Sequence, residues 1–222
     1  MPSIIFDIGG VLVRDIWEPL CFGPGGIAEK YNLPIERFSD FANAINVEYA
    51  KTSLERTGTW QEAEHACWSR IIAEFAQYFP ADITPNDLIE MTDDFIHPLN
   101  QEDIIHIIHA LKKKGTKVGI CSDMSSFLYA RITKKLHLED LIGAEHIIVS
   151  YNVGELKMDG FHMFESITKA LGVPSQDCIF FDDREVNIQK ADEFGIDAVL
   201  VPASSPETSY AIRSVLLAKE LL

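Results

Sequence analysis

The sequence predicts an α/β fold: a parallel sheet covered by helices on both faces, with a helical block inserted after its first strand. Three observations predict it. Ser3-Ile4-Ile5-Phe6-Asp7 is an apolar run with no polar alternation that ends on a carboxylate, the pattern of a strand buried on both faces. After Pro98, short apolar runs alternate with amphipathic helical stretches, the rhythm of βαβ units. Between them, from Arg14 to about Pro98, the pattern is almost wholly helical.

Taken in order, the first strand breaks at Gly9-Gly10. Asp before two glycines is ordinary turn chemistry, but open parallel sheets also bind ligands just outside the carboxyl ends of their strands. The helical block opens after Phe22-Gly23-Pro24-Gly25-Gly26 with Ile27 to Tyr31, and continues with Pro34 to about Thr52, Thr59 to Tyr78 and Pro85 to Phe95. Thr59 with Glu62 reads as a capping box, and Thr84 before Pro85 as an N-cap with proline at the first helical position. Trp17, Trp60 and Trp68 read as helix-packing core, with Trp17 also a candidate to line a pocket.

The second part begins with a helix from Asn100 to Lys114, closed by Gly115. Strands are expected at Lys117 to Cys121, Glu145 to Val149, Cys178 to Phe181 and Ala198 to Val201. The helices between and after them are Ser125 to Leu136, Gly160 to Leu171, Glu185 to Phe194 and Pro206 to Leu221.

Composition bounds the function. A formal net charge of −15 argues against a nucleic-acid partner. Charged residues interrupt every apolar run before membrane-spanning length, so no membrane partner is expected. Asp7 and the glycines precede any long apolar region, unlike a signal peptide. Cys21, Cys67, Cys121 and Cys178 show neither close pairing nor zinc spacing and read as reduced thiols of a cytoplasmic protein. His106 and His109 share a helix face with no third ligand nearby, and Lys112-Lys113-Lys114 reads as a solvated helix end.

Three later strand ends carry chemistry that matches Asp7. The second strand ends Cys121-Ser122-Asp123, the third is followed by Gly154-Glu155-Leu156-Lys157, and the fourth ends Phe181-Asp182-Asp183, with Asn187 a helical turn on. Alone, Ser122 reads as a helix cap, Lys157 as a surface charge, and the acidic pair as a match for a helix dipole. Together they place carboxylates, a hydroxyl and an ammonium at one sheet edge. Hard carboxylate oxygens suit Mg²⁺, Ser122 and Lys157 suit a phosphate, and Asp7 suits in-line attack on phosphorus.

With these motifs the chain resembles the haloacid dehalogenase-like hydrolase superfamily, over residues 1 to 13 and about 100 to 201. The resemblance implies a Rossmann-like core, residues 1–14 and 99–222, and an α-helical cap, residues 15–98. It implies catalytic roles for Asp7, Ser122 and Lys157, and phosphate binding by Ser122, Asp123 and Lys157. It also implies Mg²⁺ held by Asp7, the Gly9 carbonyl, Asp182 and Asp183, with Asn187 in support. The implied activity is Mg²⁺-dependent hydrolysis of a small phosphorylated metabolite through an aspartyl-phosphate.

The chain departs from the pattern at Gly9, where phosphatases of the superfamily usually carry a second Asp that protonates the leaving group. General acid–base help is typically worth about 10²–10⁴-fold. Its loss implies a good leaving group, such as a sugar 1-phosphate, or another acid such as Asp15, Glu18 or Asp123. The alternative is a catalytically impaired relative that binds or regulates. Asp123 stands where relatives often have Asn, and Met158 where they often have Pro. A metal-independent 2-haloacid dehalogenase is disfavoured by Asp182, Asp183 and Gly9.

Overall fold

The computed structural model describes residues 1–33, 48, 50–54, 58–97 and 101–222, and of residues 101 and 102 the backbone alone. Strand β1 (Ser3–Phe6) is buried at every position. Its alternating side chains feed two cores. Ile4 and Phe6 point to one face of the sheet, where Phe6 stacks on Phe181 with ring centroids 5.6 Å apart. Ile5 points to the other, with Cys121, Phe164 and Phe180.

Four further parallel strands complete the sheet: β2 (Val118–Ser122), β3 (Ile147–Val149), β4 (Cys178–Asp182) and β5 (Asp197–Leu200), in the order β3-β2-β1-β4-β5. Helices α5 (Gln101–Lys113), α6 (Ser126–Leu136) and α11 (Glu207–Ala218) cover the Phe6 face. Helices α9 (His162–Leu171) and α10 (Glu185–Phe194) cover the Ile5 face. Gly119 lets α9 approach the sheet, since a Cβ there would lie 2.8 Å from Ile167 Cδ1.

Between β1 and β2 lie α1 (Trp17–Phe22), α2 (Ile27–Lys30), α3 (Trp60–Glu74) and α4 (Pro85–Phe95). The α3 start is the expected capping box: Thr59 N–H donates to Glu62 Oε2 at 2.7 Å and Glu62 N–H to Thr59 Oγ1 at 3.2 Å. At α4, Asp87 Oδ2 accepts the Thr84 N–H at 2.8 Å, with Pro85 at the first turn. The helix expected from Pro34 to about Thr52 lies mostly outside the described residues, as do the 98–99 boundary and Asn100. These helices have their own core around Trp68, Ile71, Phe75 and Leu88. Trp17, partly buried, packs between Trp68 and Phe127, at centroid distances of 6.0 and 6.4 Å.

A polar seam joins this block to the sheet layer. Arg131 of α6 donates from Nε and Nη2 to the two oxygens of Glu64 on α3, at 2.9 and 2.8 Å, and pairs with Asp93 of α4 at 2.7 Å. Ser150 Oγ donates to the Ser53 carbonyl at 2.9 Å. Two short helices were not expected from the sequence: α7 (Leu138–Ile142), which begins after a left-handed His137, and α8 (Ser150–Val153), which directly follows β3. The third strand is shorter than expected because Ala144–His146 forms a 3₁₀ turn. Among the described residues, no helix is long and apolar enough to cross a membrane.

Candidate active site

Strand register by itself gathers the carboxylates. Phe6 pairs with Phe181 on one side and Ile120 on the other. Asp7, the next residue, therefore stands level with Asp182 and one step short of Ser122. Its N–H extends the ladder by donating to the Phe181 carbonyl at 2.9 Å. Strands β2 and β3 lie to one side of β1, β4 and β5 to the other. The carboxyl ends of β1 and β4 thus flank the crevice where such sheets bind ligands.

Lys157 enters from the segment after α8 and is fully buried. Its Nζ lies 3.0 Å from Asp7 Oδ1 and 2.5 Å from Asp182 Oδ2, and it donates to the Cys121 carbonyl at 3.4 Å. Burial opposes the ammonium, but Asp182, then Asp7 and Asp123, outweigh that and hold its pKa well above the ordinary lysine value. A lysine expected on the surface from its isolated type is the central cation of a buried network.

Asp182 is saturated. Oδ1 accepts from the Arg184 N–H at 2.8 Å and from Asn187 Nδ2 at 3.1 Å, and Oδ2 accepts from Lys157 and, at 3.0 Å, from Asn187. Asn187, in the first turn of α10, thus contacts both oxygens of this carboxylate. Asp7 Oδ1 accepts the Ile8 N–H at 2.7 Å, and the neighbouring Ser122 hydroxyl favours the ionised Asp7 carboxyl. Asp123, expected beside the phosphate, turns Oδ1 to the Lys157 main-chain N–H at 2.9 Å. Asp15 is exposed and accepts the Trp17 N–H at 3.2 Å, at the start of α1.

Burial pushes the Asp7 carboxyl up to about 8, against the pull of Lys157. Burial and then the charge of Asp182 push Asp183 up to about 6. Asp7, Asp182 and Asp183 each offer an oxygen within 4.8 Å of the others. Three carboxylates here share one ammonium, and a divalent cation is the charge that would relieve them. The donor set is hard oxygen, which fits Mg²⁺ better than a soft-ligand metal. Because Asp182 is saturated, Asp7 and Asp183 offer the more open lone pairs. His106 and His109 are exposed and belong to no metal-holding group among the described residues.

The two glycines after Asp7 differ. Gly10 has a left-handed φ of 71°, and a Cβ there would lie 2.0 Å from Asp183 Oδ2, so only glycine lets that carboxylate approach the β1 loop. A Cβ on Gly9 would meet nothing within 4 Å. The position beside the nucleophile candidate is open space.

Fold and site together define an α/β protein with a buried lysine–aspartate centre at the switch point of a parallel sheet. A family model described as haloacid dehalogenase-like hydrolase matches residues 1–195, and the chain belongs to that family. It is similar to phosphatase MT3486 of Mycobacterium tuberculosis (strain CDC 1551 / Oshkosh), with 22% identity over 218 residues, 96% of this chain and 93% of the relative. The HAD family enzyme BT-2542 of Bacteroides thetaiotaomicron, crystallised with magnesium and inorganic phosphate, shares the fold at a TM-score of 0.64 and 18% identity, covering 92% of this chain and 96% of that one. A crystal structure of a dehalogenase shares it at 0.66 and 15% identity, covering 98% and 96%. Proteins named as a phosphatase and as a dehalogenase are thus both among those similar to this chain.

Proposed function

We propose that the protein is a Mg²⁺-dependent phosphatase of a small phosphorylated metabolite, working through an aspartyl-phosphate. The observation that carries this reading is the acidic group Asp7, Asp182 and Asp183 around the buried Lys157. A cation site has no use in metal-independent displacement of halide, whereas a transferring phosphoryl group needs cationic stabilisation. The phosphatase relative points the same way.

In this reading an Asp7 oxygen forms the new bond to phosphorus as the bond to the leaving oxygen breaks, and that oxygen departs with the electron pair. Ser122 and Lys157 hold the phosphoryl oxygens, and the Lys157 charge favours the ionised nucleophile. Asp7, Asp183 and the Gly9 carbonyl would hold Mg²⁺, with Asp182, its oxygens already engaged, adding negative charge beside it; the ion supplies charge neutralisation when bound. Water then attacks phosphorus, releases inorganic phosphate and regenerates the Asp7 carboxylate. The helical block, about residues 15–98, acts as the cap that selects the substrate. With Gly9 in place of an acid, the leaving oxygen departs without a proton from that side. Leaving groups stable as anions, such as those of anomeric sugar phosphates, are therefore preferred.

The test compares para-nitrophenyl phosphate, glucose 1-phosphate and glucose 6-phosphate, each with Mg²⁺ and with EDTA, alongside Asp7→Asn. The expected result is Mg²⁺-dependent release from the first two, little from the third, and none by the variant. Metal-independent chloride release from 2-chloropropionate in place of phosphate release would establish the dehalogenase reading instead. Mg²⁺ binding without turnover of any substrate would point to a binding protein.

A further inference from the structure

We infer that Asp123 is a positioning residue: it fixes the main chain of Lys157, and through it the ammonium that Asp7 and Asp182 share. The inference rests on the phosphatase reading for its catalytic consequence, not for its geometry. Besides the contacts of its ammonium, the segment carrying Lys157 is held, among the described residues, at three points. Glu155 Oε1 accepts the His162 N–H at 2.9 Å, and its Oε2 lies 2.8 Å from His162 Nδ1. The Leu156 carbonyl accepts the Asp159 N–H at 3.0 Å, closing a turn across Lys157 and Met158. Both of these bonds lie within the segment. The third is the bond from the Lys157 N–H to Asp123 Oδ1, which reaches it from the end of β2, 34 residues earlier.

That third bond matters because Nζ sits at the end of four methylenes. A shift of the main chain at Lys157 is passed on to an ammonium that now lies 3.0 and 2.5 Å from two carboxylates. Met158, 45% exposed, provides neither the fixed φ of a proline nor a buried anchor. Asp123 adjoins Ser122, the last residue of β2, so one strand end carries the hydroxyl beside Asp7 and the carboxylate that places the ammonium. The acceptor, rather than the negative charge, is what this role needs. The charge itself works against a phosphate anion beside Ser122 and Lys157.

Acceptor and charge separate cleanly in two variants. Asp123→Asn keeps an oxygen facing the Lys157 amide and removes the charge, whereas Asp123→Ala removes both. For Asp123→Ala we expect kcat on para-nitrophenyl phosphate to fall about 10–100-fold, the scale of a misplaced catalytic group. Hydrogen exchange at the Lys157 amide should accelerate. Asp123→Asn should keep that amide protected and lose clearly less kcat than Asp123→Ala, and it should bind inorganic phosphate more tightly in the presence of Mg²⁺. Equal loss of kcat in both variants, or unchanged amide exchange in Asp123→Ala, would overturn the inference. If the wild-type protein hydrolyses no phosphate ester, the phosphatase reading fails, and the exchange comparison still decides whether Asp123 holds Lys157.

Discussion

Replacing Gly9 by Asp tests the reasoning about the missing acid. The backbone at Gly9 is not left-handed, and a Cβ meets nothing within 4 Å, so the first atom of a new side chain enters without displacing a neighbour. Replacing a glycine at such a position also restricts the unfolded chain, worth about 0.4–1 kcal/mol in favour of folding. The new carboxyl would join an acidic group already containing Asp7, Asp182 and Asp183. A like charge at about 6 Å costs about 3 kcal/mol at an effective dielectric of 20, or roughly two pKa units. That lifts an ordinary aspartic acid towards about 6, where it still carries a proton for a useful fraction of the time near neutrality. The rate gain should follow the basicity of the leaving oxygen: about 10²–10⁴-fold, or about 3–5 kcal/mol, for glucose 6-phosphate, and little for para-nitrophenyl phosphate. Steady-state phosphate release from the two substrates measures the ratio. A folded Gly9→Asp variant that gains equally on both, or on neither, would show that proton supply at this position is not what limits the protein. Gly10→Asp is the control, because its Cβ would strike Asp183 and the residue is left-handed.

Lys157→Met should lower stability by about 3–5 kcal/mol, since it leaves Asp7 and Asp182 buried without their cation. Calorimetry in EDTA should then show Tm lower by about 6–20 °C, and a shift under 2 °C would contradict the buried network. Arg131→Met should cost about 3 kcal/mol, chiefly because Glu64, 1% exposed, loses its bidentate partner, while exposed Asp93 matters little. Adding Glu64→Gln should recover part of that loss in a double-mutant cycle of thermal unfolding. The raised pKa values of Asp7, about 8, and Asp183, about 6, mean that the folded protein binds more protons than the unfolded chain between about pH 4 and 8. Stability without metal should therefore fall as pH rises through that window. Mg²⁺ competes for the same oxygens, so titration calorimetry should find its affinity rising from about pH 6 to about pH 8.5.

The fold was legible because its strands are buried on both faces. Ile4-Ile5-Phe6 and Ile179-Phe180-Phe181 leave no solvent face for an antiparallel reading, and left-handed Gly172 and Gly195 end α9 and α10. What escaped notice was short. Helix α8 has four residues and no proline or glycine start, and α7 opens on a left-handed His137 that carries no turn signal. Trp17 was ambiguous because an aromatic between two layers has the same sequence signature as one lining a pocket. Its ring contacts with Trp68 and Phe127, one in each layer, are not written in the spacing.

The site was legible as residue types at strand ends, but not as partnerships. Register explains why Asp7 and Asp182 meet, and register follows from which strands pair. No spacing relates Lys157 to either of them, Arg131 to Glu64, or Asp123 to the Lys157 amide, because each contact spans a crossover or the inserted block. These are also the contacts that assign roles. With both oxygens of Asp182 taken by Lys157, Asn187 and the Arg184 amide, the paired aspartates Asp182 and Asp183 cannot be equivalent. Asp182 pairs with the lysine, while Asp183, beside the glycine that admits it, is only partly buried. A substitution at Asp182 should therefore cost stability as well as Mg²⁺ affinity, and one at Asp183 chiefly Mg²⁺ affinity, a difference visible only once hydrogen-bond partners are counted.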